Sequence, residues 1–240
     1  MRVALCPTAI ALCLLGHFGC TSTDEDALAN SVELDHVYVY VPRKAKETAV
    51  VSALEAAGLN VRPQRNDFGD GVTGRYVLFE NAYLELLWYD GVTSTDEDTR
   101  RRAEWEATGV SPFGVGMRRR SGIPDALPFP TRPFTAPWLK PGTQIRVLGG
   151  VNDAGPDFFV VPDSMAHQGT ASHSLGIRRL TGAQLIVPSA GMTEAAQLVN
   201  ASGLAEIKEG SKPALALSFD AAPRQRTLDL RPLLPVTLAY

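Results

Sequence analysis

Few side chains in this protein are equipped for chemistry, and His36 is the best placed of them. The chain has four histidines. His36 stands in Leu34-Asp35-His36-Val37-Tyr38-Val39-Tyr40-Val41-Pro42, an alternating run that predicts a strand over 34–41. Alternation puts Asp35, Val37, Val39 and Val41 on one face and His36, Tyr38 and Tyr40 on the other. A second predicted strand, 83–89, carries Tyr83, Glu85 and Leu87 on a common face. A strand histidine is often only a hydrogen-bonded, half-buried residue. Glu85 on the matching face raises a different use, because an imidazole beside a carboxylate can shift a proton next to a carbonyl.

Other candidates are weaker. His167 and His173 flank Gly169-Thr170-Ala171-Ser172 and are open to two readings, solvated loop residues or atypical ligands. Arg100-Arg101-Arg102 reads as a helix face paired locally with Asp96, Glu97 and Asp98. Arg118-Arg119-Arg120 reads as solvated, with one side chain able to reach an anionic ligand. There is no glycine-rich phosphate loop, Ser-His-Asp set or zincin motif.

The elements that must hold His36 and Glu85 are written twice. The first strand leads to a predicted helix over 44–57, with Ala49, Val50, Ala53, Leu54 and Ala57 at helical spacing and Gly58 as its stop. Strands at 59–64, 74–80 and 83–89 complete a βαβββ module. A second copy runs from a strand over 177–187, containing Leu180 to Pro188, through a helix over 192–202 to Gly203-Leu204. It continues with strands at 204–208, 213–219 and 226–231, the last holding Leu228-Asp229-Leu230, and 235–239 adds an edge strand. From Pro to Gly the gaps are 16 and 15 residues, and from Gly to the carboxylate 27 and 26. Between the copies lie a helix over 95–107 started by Ser94 or Thr95, a strand near 113–119, a stiff proline-rich excursion from Pro124 to Pro141, and strands near 144–149 and 157–161. Duplicated units commonly enclose the functional site between them.

Bulk properties narrow the classes. At 240 residues and 45% hydrophobic content the chain can build a substantial core. A formal net charge of −3 leaves no basic footprint for nucleic acid. Arg2 precedes an apolar run from Val3 to Leu15, the length of a signal-peptide core and too short to span a bilayer. Gly19-Cys20 follows, then a polar stretch. This resembles a bacterial lipoprotein signal, with 1–19 removed, Cys20 lipidated, 20–32 a polar tether and 33–240 the folded body. The only cysteines are Cys6, Cys13 and Cys20, so the body has no thiol for a disulfide, zinc site or nucleophile. The expected location is exported and membrane-anchored, on the periplasmic side or the cell surface.

An Asp-His strand with alternating Val, a helix closed by Gly-Leu, a later Tyr-Leu-Glu-Leu strand and Asp157-Phe158-Phe159-Val160-Val161 together resemble the glyoxalase-like families of the vicinal oxygen chelate superfamily. The resemblance covers roughly 33–231. It implies an α+β fold of paired βαβββ modules, with curled mixed sheets around a central cavity: module one about 33–92, connecting segments about 93–172, module two about 173–240. Metal-dependent members hold a divalent ion with one ligand from the first strand and one from the last strand of each module. His36 and Glu85 match module one, and Asp229 matches the module-two carboxylate. Equating Gly182 with His36 keeps the spacings, 21 and 47 residues against 22 and 49, whereas His173 stretches them to 30 and 56. The quartet therefore reads His36, Glu85, Gly182, Asp229, and the cofactor is either none or a divalent metal on three ligands. Cavity-facing positions would include Tyr38, Tyr40, Tyr83, Gln184, Ile186 and Arg231, suited to an oxygen-rich aromatic or amphipathic small molecule. The implied activity is a lyase, isomerase or dioxygenase type with His36 and Glu85 catalytic. Glutathione-dependent glyoxalase chemistry is disfavoured by the incomplete quartet. The alternative is a binding protein that sequesters its ligand unchanged.

Overall fold

The computed structural model describes residues 23–69, 71–91, 96–150, 154–231 and 233–240. The expected signal segment, Cys20 and the Ser94 or Thr95 helix start lie outside them. The first described element corrects an expectation. Helix α1 (Asp24–Ser31) occupies most of what reads as a tether. Thr23 caps it by accepting the Asp26 backbone N–H at 3.3 Å, three acidic residues suit its N-terminal dipole, and Leu28 is fully buried. One buried leucine and a good cap outweigh the polar composition.

Strand β1 (Val32–Tyr40) follows directly, then α2 (Glu47–Ala56), which buries Val50 and Leu54. Next come β2 (Asn66–Asp67), β3 (Val72–Leu78) and β4 (Tyr83–Tyr89). The strand expected at 59–64 reduces to one bridge, Val61 to Val77. Two short helices, α3 (Glu97–Ala103) and α4 (Trp105–Thr108), precede β5 (Phe113–Arg119), with Asp96 capping α3. The proline-rich excursion contributes only β6 (Arg132–Phe134) before β7 (Ile145–Leu148) and β8 (Asp157–Val160). The last third holds β9 (Leu180–Val187), α5 (Glu194–Ala201), β10 (Glu206–Glu209), β11 (Ala214–Phe219), β12 (Thr227–Asp229) and β13 (Val236–Ala239).

The strands form two mixed sheets, one of order β2-β3-β4-β1-β5-β8-β7-β6 and one of order β10-β9-β11-β13-β12. The eight-stranded sheet is internally symmetric. In each half the first strand pairs in parallel with the last, β1 with β4 and β5 with β8, and β1 meets β5 antiparallel at the centre. Paired modules are therefore present, but the partner of module one is 113–160 and not the segment after 173. This second half has no helix between β5 and β6, where Pro124, Pro128 and Pro130 remove amide donors. Residues 180–239 imitate a copy in sequence only: β9 pairs with β10 and β11 rather than with a closing strand. Residues 236–239 are also not an edge. They lie between β11 and β12 with Val236 and Leu238 buried, and β12 is the edge strand.

One core fills the space between the sheets and helices. Val37, Val39, Leu84, Leu86, Val115 and Phe158 meet Val50, Leu54, Val199, Leu185 and Leu217 there. Each such valine or leucine contributes roughly 1.5–3 kcal/mol by leaving water. The sheets are tied where Asn81 bonds both the N–H and the C=O of Leu180, at 2.9 and 2.8 Å, and Phe79 stacks near Phe219 at 4.5 Å. The other face of the large sheet gathers a smaller cluster, Tyr38, Tyr40, Val72, Leu87 and Ala103, with Phe68 and Phe159 packed on it. That face is a trough. Phe68, beside edge strand β2, reaches Trp138, just beyond edge strand β6, with ring centroids 5.3 Å apart.

Candidate functional site

The trough holds the residues that alternation on β1 and β4 selected. Parallel register sets His36 beside Tyr83 and Tyr38 beside Glu85, and His36 Nε2 lies 3.8 Å from Glu85 Oε2. Both are nearly inaccessible, at 3% and 7% exposure. Asp35 departs from simple alternation. A register shift between Leu34 and His36 brings its fully buried carboxylate onto the imidazole, where Oδ1 accepts from Nδ1 at 2.7 Å. Asp35 Oδ2 accepts the His167 backbone N–H at 2.6 Å and Arg118 at 3.4 Å. Burial alone would raise its pKa, but the His36 hydrogen bond and charge, the His167 amide and Arg118 together hold it below the ordinary carboxylate value. With Nδ1 bonded to Asp35, the ring is oriented so that Nε2 faces Glu85. Glu85 is perturbed the other way. Its burial outweighs the help of His36 and of a Tyr76 hydrogen bond, and raises its pKa. Tyr76 in turn accepts from Asn66 Nδ2 at 2.6 Å. The pair is thus an imidazole nitrogen facing a carboxyl group inclined to keep its proton, an arrangement able to exchange a proton with a bound molecule.

Glycines make the trough's floor and rings fill it. His36 stacks on Tyr83 at 4.4 Å and presents an edge to Phe159 at 5.3 Å. Its ring lies over Gly116, where a Cβ would stand 2.2 Å from the imidazole. Tyr38 covers Gly114 in the same way, and Phe68 covers Gly74. The Tyr38 hydroxyl donates to Asp157, which pairs with Arg102 at 2.8 Å. Arg102 is 2% exposed and also holds Asp98 at 2.9 Å and the Gly155 carbonyl at 2.6 Å. The reading of this arginine as an exposed helix face is corrected: Asp98 is its partner, but the guanidinium is spent inside, anchoring α3 over one end of the trough.

No protein-family model matches the chain, and no curated protein does. Solved structures are similar to it at low level. A hypothetical protein from Staphylococcus aureus aligns at 9% identity and TM-score 0.41 over 86% of this chain and 98% of its own. A xylose isomerase-like TIM barrel/4-hydroxyphenylpyruvate dioxygenase fusion protein aligns at 10% and 0.44 over 78% of this chain and 36% of its own. A mutant 4-hydroxymandelate synthase from Streptomyces coelicolor aligns at 10% and 0.43, over 79% and 71%.

The donor set does not fit a metal. Asp229 lies on the edge strand of the other sheet, exposed and bound to Arg231 at 2.6 Å, with its pKa lowered to about 2 by that partner. Gln184 bonds Glu206 on the same sheet. Asp229, Arg231, Gln184 and Ile186 therefore do not join His36, whereas Tyr38, Tyr40 and Tyr83 do. Symmetry of the large sheet identifies what stands opposite instead. The two parallel ladders begin at His36 with Tyr83 and at Gly114 with Asp157. Superposed by those starts, the counterpart of His36 is Gly114 and that of Glu85 is Phe159. Neither supplies a donor. Among the described residues no three His, Cys, Asp or Glu side chains are grouped to hold an ion, and two donors alone make a poor site.

Two of the remaining sequence candidates, His173 and Arg118, have structural duties, whereas His167 contributes its backbone N–H to Asp35 and places its ring 5.7 Å from Tyr83. His173 is buried, its Nε2 against the Leu78 carbonyl at 2.8 Å and its Nδ1 accepting the Asn60 N–H at 3.0 Å. Burial lowers its pKa, and both ring nitrogens are committed. Arg118, expected to be solvated, holds Glu33 at 2.8 Å and the Asn81 carbonyl at 2.9 Å as well as Asp35. Asp35, Tyr76, Asp157, Phe159 and the floor glycines were not selected as site residues from sequence. The visible signals were the adjacency of Asp35 to His36 and the Asp157-Phe158-Phe159 run.

Proposed function

We propose that the protein binds a small aromatic or amphipathic molecule in the trough, its polar end at His36 and Glu85, without a resident metal. One observation carries this reading: the module-one polar pair sits in a ring-lined face whose symmetry-related positions are Gly114 and Phe159. That exchange trades ion-binding groups for apolar contact. A second reading, proton-transfer catalysis of the lyase or isomerase type, is favoured by the hydrogen bond from His36 to Asp35 and the raised pKa of Glu85. Export and lipid attachment at Cys20 also belong to the proposal, supported by the Val3–Leu15 run and Gly19 before the cysteine. Since α1 begins at Asp24, three residues separate that cysteine from a docked helix, a reach of about 10 Å when extended. The body would then sit close to the bilayer.

The test is calorimetric titration with naphthol as a probe, followed by chromatography of the recovered probe. Wild type should bind it, and His36→Ala and Glu85→Gln should each weaken binding about tenfold, the worth of one hydrogen bond to a buried group. Binding unaffected by both substitutions would remove the site from consideration. A probe recovered chemically altered would replace the binding reading with the catalytic one.

A further inference from the structure

We propose that edge strand β2 with the Phe68 that follows it is a movable plug, in which Phe68 takes the place of a ligand ring over Gly74 and its lifting opens the trough to Glu85 and His36. The inference rests on the trough being the binding face. His36 and Glu85 are almost wholly buried, so any molecule that meets them must displace something. Three rings lie over glycines of the floor, and only one can leave cheaply. His36 and Tyr38 belong to β1, which is bonded on both sides by β4 and β5. Phe68 belongs to the sheet edge. Its strand β2 has two exposed residues and two pairings, Asn66 with Gly74 and Asp67 with Thr73.

The turn beyond Phe68 is built for tight reversal rather than for burial. Gly69 and Gly71 both have φ +73, the Phe68 N–H donates to the Val72 carbonyl at 3.0 Å, and the Val72 N–H donates to the Gly69 carbonyl at 3.0 Å. A Cβ on Gly74 would stand 2.8 Å from the Phe68 ring and 3.3 Å from Glu85 Oε1, so the ring lies beside that carboxyl group. Across the trough its contact is Trp138, itself half-buried, from the proline-rich excursion. The same edge strand supplies Asn66 to the Tyr76 hydroxyl, and Tyr76 bonds Glu85. Lifting the plug therefore uncovers Glu85 and releases one link of its hydrogen-bond chain together. Edge segments with few bonds open locally at far lower free energy than central strands.

Modification of His36 by diethyl pyrocarbonate in the full chain, mapped by peptide mass spectrometry, reads the plug without any ligand. Wild type should react slowly at His36. Phe68→Ala should raise the rate by about tenfold or more, since opening is then no longer required. Gly74→Ala, whose methyl group would displace the ring, should raise it too, and Asp229→Ala on the edge of the other sheet should leave it unchanged. If Phe68→Ala and Gly74→Ala both keep the wild-type circular dichroism spectrum and the wild-type His36 rate, the plug does not exist. Accelerated labelling without naphthol binding in any variant would keep the plug and discard the small-molecule reading. Naphthol binding with unchanged labelling would do the reverse.

Discussion

Glu85 carries an energetic burden that Asp35, on the other side of the His36 ring, does not. The fold raises the Glu85 pKa, so between its ordinary value of 4.5 and the raised one the unfolded chain releases a proton that the native chain keeps. Stability contributed by this group falls as pH rises through that window. Glu85→Gln removes the ionisation while keeping the shape, and should make the protein more stable at neutral pH by about 1 kcal/mol, measured by urea unfolding. A loss of stability there would mean that the carboxylate is held ionised by His36. Asp35 has the opposite sign: its lowered pKa makes its contribution present above 3.8 and lost as pH falls through the native value. At this scale the sequence was partly legible. His36, Glu85 and the three tyrosines follow from two-residue periodicity, but the inward turn of Asp35 comes from a strand irregularity that periodicity cannot express.

Among the elements, β5 does more than complete the sheet. Gly114 and Gly116 lie opposite Tyr38 and His36, and their missing side chains make room for those rings. Gly116→Ala would set a methyl group 2.2 Å from an imidazole held by Asp35 and a central strand, so relief has to come from β1 itself. A cost of about 1–3 kcal/mol is expected in thermal or urea unfolding, with weakened probe binding. The connection around 173 makes its own prediction. His173 is kept neutral, with a pKa below 6.5, so as pH falls from 6.5 toward that value the unfolded chain takes up a proton that the native chain refuses. Stability should decline across that interval, and His173→Gln should flatten the slope in a pH series of melting temperatures. Strand β1 and strands β4, β5 and β8 were readable from their alternating or aromatic runs. Helix α1 was not, because its composition is polar and its apolar contact with the core comes from Leu28 and Ala27 only.

The whole molecule separates the two sheets chemically as well as spatially. Asp229 and Arg231 satisfy each other on the exposed edge of the five-stranded sheet. Asp229→Ala should leave naphthol affinity and melting temperature unchanged, since surface pairs of this kind carry little stability. A loss of probe binding would restore the paired-copy site that the strand order dismisses. The sequence by itself determined that the fold is α+β, that strands alternate between a valine face and an aromatic face, and that His36 and Glu85 share one of them. These follow from local periodicity, which acts within each strand. Which strand pairs with which was decided only in three dimensions. Residues 180–230 repeat the spacing of module one and still form a different sheet, whereas 113–160 lacks the helix and repeats its pairing. Hydrogen-bond register between distant strands, rather than spacing along the chain, set Gly116 across from the histidine and made Gly114 and Phe159 the symmetry-related counterparts of the histidine and the glutamate.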